Sequence, residues 1–483
     1  MLSENIYRNK YPSNDNEQSA DLIHKYLYQN ENGEIKLKLN NMENQQVLSN
    51  ILSGEQYLLP HGSKYQQNYD YVYKKLTRIN EGKFYSFVEL LRRVKVVIIV
   101  SDEDQDENSV FESINSTGKP LAGSDLIKNY LFTFKNYNCS HDEERQLTKL
   151  YTENFEKLFV DEKKIEEATE SFFRVYIAIK TSTLVKKDAK VIYYQFKHLI
   201  GQINSVQNCK EIILDLSKWA IIYQNLKYGK IEEIKSVYLS YIKTCFDLYS
   251  VFLVQIIEKY SVVEGNKLII NDGKELNRIF KVIIGYDATR IIANFPTAEL
   301  VRWTPMLLTK NHLEHNKYQH IDSYADRFIM LTTTSDKGYK YPSQDELRKS
   351  VITSDLYTRN KKYLKRLLIL LENIGKKELL NYEKDLTKAT IEHIMPQTLS
   401  PEWSVNHEEH GEYLHTLGNL TLTFDNSELS NLGFNEKKQI LKERSQLSMN
   451  VELAEYENFD IETVKKRANG LLDKFLNEYH NKR

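Results

Sequence analysis

Cysteine is scarce in this chain. Its 483 residues include three, Cys139, Cys209 and Cys245, far apart and without a Cys-x-x-Cys pair, so neither a disulfide framework nor a thiolate zinc site is supported. Long apolar runs are missing as well. None approaches the roughly 18 residues of a membrane helix, and Met1–Asn9 lacks the basic-then-apolar pattern of a secretory leader. The expectation is a cytoplasmic protein with no membrane contact. Charge of one sign is not in excess either: Lys+Arg 66 stand against Asp+Glu 67, a net charge of -1. A polyanion therefore feels no global attraction, and any nucleic-acid contact must come from a local basic surface.

What is abundant is apolar content. At 41% hydrophobic, the chain can fill the cores of two or three domains. Residues 35–40 alternate apolar and basic in the period of a half-buried strand, and Asn40–Leu52 is helical in pattern. Tyr69–Arg93 carries helical spacing and leads into Val94–Val100, a β-branched run that predicts a buried strand, closed by the acidic loop Asp102–Glu107. Ser109–Gly118 predicts a short helix stopped by its glycine. After Lys119-Pro120 a second helix starts at Ser124, whose hydroxyl suits an N-cap. From Asp142 to Leu380 the pattern is helical, with few Gly or Pro residues. From Asn381 it reads strand, long polar loop, strand, helix, and the tail Asp460–Tyr479 is again an amphipathic helix. Lys465, Lys466 and Arg467 near its start form a basic cluster, read as a solvated face or a phosphate contact.

The chemistry concentrates near the C-terminus. Thr390–Gln397 reads Thr-Ile-Glu-His-Ile-Met-Pro-Gln, Leu417–Thr423 reads Leu-Gly-Asn-Leu-Thr-Leu-Thr, and an Asn-rich run follows through Asn426, Asn431 and Lys437. Metal-assisted cleavage of a phosphodiester needs a base to activate water, oxygen ligands for the ion and a frame that holds both. His393 can be the base, since neutral imidazole accepts a proton near neutral pH. Glu392 can supply a carboxylate to Mg²⁺ or Mn²⁺, with Asn426 or Asn431 adding an amide oxygen. Asn419 can brace the loop that carries the histidine through side-chain hydrogen bonds to backbone. Neighbours on a strand point to opposite faces, so Glu392 and His393 meet at one ion only where the strand twists or bulges, and Pro396 marks its end. His407, His410 and His415, set among glutamates and without cysteine, read as a hydrated loop between strands.

Together these three segments resemble the HNH, or ββα-metal, nucleases. The resemblance implies that His393 is the general base, Glu392 a metal ligand, Asn419 the middle Asn of the motif and Asn426 its final metal-binding position, with Asn431 competing for the last role. The motif's final histidine is replaced by asparagine. Phe111–Leu121 and Ser124–Leu131 in turn resemble the N-terminal domain of GmrSD-type, modification-dependent (type IV) restriction enzymes, which commonly join that domain through helices to an HNH domain. Ser116–Lys119 is not a P-loop, because the upstream Gly and the hydroxyl residue after Lys are missing. Asn115 and Asp125 satisfy backbone groups at the turn or, with Lys119, line the family's nucleotide pocket.

The expected fold is mainly α with small α/β parts. It comprises a partial ParB-like N-terminal domain over 1–141, a helical middle domain over 142–380 and a ββα-metal HNH domain over 381–483. The Asp-Gly-Gln-Gln-Arg segment of the family's nucleotide-hydrolysing part is absent, so the chain is expected to start partway through that domain. This counts against NTP hydrolysis and leaves nucleotide binding open. The resemblance implies a metal-dependent DNA endonuclease of a restriction or phage-defence system, acting on modified or foreign DNA. The implied partners are DNA and a separate N-terminal NTPase subunit or a second copy. The competing reading is a non-catalytic DNA- or protein-binding subunit of a split restriction system.

Overall fold

In the computed structural model the chain divides into two units, Met1–Asp106 and Glu107–Arg483. The structure describes residues 121–133, 139–160, 164–308, 313–359, 361–424, 429 and 431–480, with 47–50, 64–78, 83, 86, 90 and 93–95 in the first unit. The strand predicted over 35–40, the helix over 109–118 and nearly all of Val94–Val100 lie outside the described residues. In the first unit, residues 47–50 are helical and a helix runs over Lys64–Thr77, where Tyr69 and Tyr73 stack one turn apart.

The second unit is mainly helical, with two small two-stranded sheets. Its helices begin where side chains satisfy the first free N–H groups. Ser140 and Ser343 form capping boxes with Glu143 and Glu346, and Asp188, Ser205, Asp272, Ser323 and Asp460 cap further starts. The helix Val206–Tyr228 ends at Gly229, whose φ of 65° is left-handed, with Lys230 N–H returning 2.8 Å to the carbonyl of Asn225. The predicted N-cap at Ser124 is displaced: the helix spans Gly123–Leu131 with Ala122 at its cap. Glu170 supplies the missing acceptor, its carboxylate taking the N–H of Gly123 at 2.6 Å.

A single apolar cluster runs through the helices and into the C-terminal sheet. Phe155, Phe159, Phe172 and Phe173 form its aromatic end, with ring centroids 5.3–5.7 Å apart. Within the helical region lies a hairpin that the periodicity did not reveal. β1 (Ser261–Glu264) pairs antiparallel with β2 (Lys267–Ile270) across Gly265-Asn266, the two-residue turn that such hairpins favour.

The helix Lys361–Asn373 buries an unbroken run from Arg366 to Asn373 and packs on both strands of the second sheet. That sheet is β3 (Thr390–His393) antiparallel to β4 (Leu420–Thr423), in the register Thr390↔Thr423 and His393↔Leu420. The helix Phe434–Arg444 follows, and the helix Ile461–Tyr479 packs against the turn Leu417–Asn419. A smaller apolar cluster of Ile394, Met395, Trp403, Leu441, Phe459 and Val464 underlies the connections. The cysteines are free, two of them buried. Among the described residues no helix is long and apolar enough to cross a membrane.

Candidate active site

His393 closes β3, and the chain leaving it is held by Asn419. Ile394 N–H donates to the Asn419 carbonyl at 2.9 Å, and Met395 N–H donates to Asn419 Oδ1 at 2.7 Å. The amide Nδ2 of Asn419 donates to the carbonyls of Met395 and Leu414, at 3.0 and 2.9 Å. Both amide protons and the carbonyl of a buried side chain are thus spent on two strands of backbone. Behind this turn, Arg467 donates to the carbonyls of Gly418 and Leu420 at 2.8 and 2.9 Å. This buried guanidinium, whose pKa burial lowers to about 10, is no part of a solvated basic face.

The imidazole of His393 is 5% exposed and surrounded by polar and aromatic groups. Its Nε2 lies 3.0 Å from Nδ1 of His415, and its Nδ1 lies 3.4 Å from the amide nitrogen of Gln397. The Tyr357 ring meets His393 edge-on at 4.5 Å and stacks on His415 at 5.1 Å, while the Lys361 ammonium sits 4.3 Å from the centre of that ring. His415 is anchored in turn, its carbonyl accepting Leu356 N–H at 3.0 Å. Burial, His415, Lys437 and Lys361 all oppose a charge on His393 and lower its pKa to about 3. The imidazole is therefore neutral at physiological pH, with one ring proton. Burial likewise lowers the pKa of His415.

Glu392 takes other partners. Its Oε1 accepts from the Lys437 ammonium at 2.6 Å, and the same ammonium donates to the main-chain oxygen of His393 at 2.8 Å. This pair ties the helix Phe434–Arg444 to β3. Burial raises the pKa of the carboxyl and lowers that of the ammonium, in each case against the pull of the partner.

The structure thus joins His393 to Asn419 through Met395 and separates the partners of the Glu392 and His393 side chains. Asn431 is exposed, in a turn before the helix. Asn426, Asn115 and Lys119 lie outside the described residues. Asp125 sits half-buried in the first turn of the helix Gly123–Leu131, its pKa raised first by burial and then by Glu166. His407–Tyr413 is a helix where a hydrated loop was expected, capped by Asn406, and His410 is buried with Nε2 2.8 Å from the Pro396 carbonyl. Sequence reasoning missed His415 and Tyr357 as partners of His393. The first carried a signal, lying two residues before the Leu417–Thr423 segment; the second carried none.

Among the described residues, no group of three or more His, Cys, Asp or Glu side chains gathers as a cation site. The imidazole of His393 has the imidazole of His415 and the amide of Gln397 as its described polar partners, and these three groups do not make the oxygen shell that Mg²⁺ takes. A cavity of about 500 Å³ opens at the opposite end of β4, against Thr423, Phe424 and Arg444.

Comparison with known families adds an independent finding. Residues 341–474 match the model described as GmrSD restriction endonucleases, C-terminal domain, and residues 2–132 match the one described as GmrSD restriction endonuclease, N-terminal domain. No curated protein matches the chain.

Proposed function

The chain belongs to the GmrSD restriction endonuclease family, and from that premise we propose that it is a DNA endonuclease of a restriction or phage-defence system, acting on modified or foreign DNA with His393 as general base. The observation that carries this reading is the contact between His393 and His415. With the Nε2 proton of His393 donated to Nδ1 of His415 at 3.0 Å, the lone pair rests on Nδ1, where Gln397 is a loosely held partner at 3.4 Å. A water that displaces the amide would give its proton to the neutral imidazole nitrogen as its oxygen attacks phosphorus, while the bond from phosphorus to one ester oxygen breaks and that oxygen leaves with a proton from solvent. His415 acts as a positioning residue that fixes the tautomer, and Asn419 holds the turn after the base. Lys361, above the Tyr357 ring, offers positive charge on the same side of the site as the histidines.

The family resemblance implies Mg²⁺ or Mn²⁺, which when bound would stabilise charge developing on the phosphate. Asn426 and Asn431 stay the sequence candidates for its ligands, and Glu392 joins them only if Lys437 releases it.

Plasmid DNA incubated with the purified chain, with and without Mn²⁺, beside His393→Ala, tests the reading. Nicking by the wild type that falls by roughly two to four orders of magnitude in the variant supports a general base. Equal background from both would favour the second reading, a non-catalytic DNA- or protein-binding subunit. That alternative draws on two observations: His393 is almost fully buried, and Glu392 is sequestered by Lys437.

A further inference from the structure

A cavity of about 310 Å³ lies among the helices Gly273–Ile292 and Lys361–Asn373 and the segments that follow Asn294 and precede Lys361. Four charged side chains line it: Asp287, Arg290, Arg359 and Arg366. The one anion is already committed, since Asp287 accepts from Tyr241 and Tyr249 at 2.6 and 2.8 Å and from Arg366 at 2.7 Å.

Among the described residues Arg290 pairs with no carboxylate. At 2% exposure its guanidinium donates to the carbonyls of Lys340 and Pro296, at 3.1 and 2.7 Å, and lies over the rings of Tyr286 and Phe295. Carbonyl dipoles and ring faces solvate a cation without neutralising it, and a buried cation is costly until an anion joins it. The Nε atoms of both Arg290 and Arg366 are buried and find no partner among the described residues. At the rim, Arg359 is exposed and donates to Asn294, a non-glycine residue held at a φ of 57°. Three guanidiniums around one space, with a single carboxylate among them, are the chemistry that recognises a phosphate.

We propose that this cavity is an oxyanion site that takes a phosphate group, carried either by a free nucleotide or by the DNA backbone. This goes beyond the nuclease reading and does not rest on it. The segment between Ser354 and Lys361 connects the two places: Leu356 and Arg359 line the cavity, while Leu356 N–H donates to the main-chain carbonyl of His415 and the Tyr357 ring stacks on the His415 imidazole. An occupant that draws in Arg359 therefore bears on the strap that flanks the histidine pair.

The test uses the full chain and reads binding and unfolding, not nicking. Calorimetry and thermal unfolding with inorganic phosphate, against chloride at equal ionic strength, should show saturable binding and a raised Tm. Arg359→Ala, an exposed position, should weaken phosphate binding by roughly tenfold, as the loss of a charge-assisted hydrogen bond does, with an unchanged circular dichroism spectrum. Adenosine monophosphate and a short duplex oligonucleotide distinguish the sources. Tighter binding of the monophosphate than of phosphate, with oligonucleotide affinity equal in wild type and Arg359→Ala, assigns a free nucleotide. Competition between phosphate and the oligonucleotide in wild type but not in the variant assigns the DNA backbone. No phosphate-specific response in the wild type, or an equal response in Arg359→Ala, overturns the proposal.

Discussion

The ammonium of Lys437 binds the carboxylate of Glu392 and the main-chain oxygen of His393 at once, at 2.6 and 2.8 Å, from the far side of the strand that carries the imidazole. Its side chain is 1% exposed and that of Glu392 10%. Lys437→Met would leave an uncompensated carboxylate under the helix, and the expected loss is about 3–5 kcal/mol of unfolding free energy. Adding Glu392→Gln should restore most of it, because removing both charges is far cheaper than removing one. Urea unfolding of the two single variants and the double variant measures the coupling, and strictly additive losses would show that the pair does not act as a unit.

Asn419→Ala removes an acceptor from Met395 N–H and a donor from the buried carbonyl of Met395 and the partly buried one of Leu414. Unmet buried backbone groups cost about 1–3 kcal/mol each where water cannot reach them. A destabilisation near the lower end of that range would mean that water enters the turn. Asn419→Asp should do worse than Ala despite its similar shape, since it brings a carboxylate to the oxygens of Met395 and Leu414. Equilibrium unfolding of the pair decides the order.

The difference between these two sites also shows what the sequence could convey. β3, the turn at Asn419 and β4 follow one another as the motif spacing predicts, because strand period and a single bracing amide are local properties. The long helical region was legible from its period, although β1 and β2 escaped it, being only four residues each. The partner of Glu392 was not legible. Lys437 reaches it across 45 residues of chain, and nothing in its neighbours Glu436 and Lys438 sets it apart from a solvated helix face. Tyr357 lies outside any motif and reaches His393 where the helix Lys361–Asn373, which begins four residues on, packs on the sheet.

Acid should unfold this protein in a recognisable window. The pKa of His393 is lowered to about 3 in the folded chain, against about 6.5 for an unperturbed histidine. Between those values the unfolded chain binds the extra proton, so stability is unaffected above the higher value and falls as pH drops toward the lower one. His415 shifts in the same direction. The raised carboxyl of Glu392 acts oppositely, but only once the pH nears the carboxylate range. Going from about pH 7 to about pH 5, His393 alone should cost about 2 kcal/mol. His393→Gln should flatten that slope in urea titrations at the two pH values, and an unchanged slope would place the lost stability elsewhere.

Gly418 is the position where the motif's backbone admits no side chain. A Cβ there would lie 2.0 Å from the main-chain oxygen of Val464 and 3.1 Å from the Cβ of Ala468, both on the helix Ile461–Tyr479. That helix cannot retreat without pulling Arg467 from the carbonyls of Gly418 and Leu420. Gly418→Ala should therefore cost about 3 kcal/mol or more, by overpacking and by loosening the turn at Asn419. Gly411 provides the contrast. It lies in the helix His407–Tyr413, where an added methyl group would meet nothing within 4 Å, so Gly411→Ala should stabilise by roughly 0.5–1 kcal/mol through helix propensity. Thermal unfolding of the two variants, side by side, separates close packing at the motif from a general intolerance of added methyl groups, since only the former predicts opposite signs.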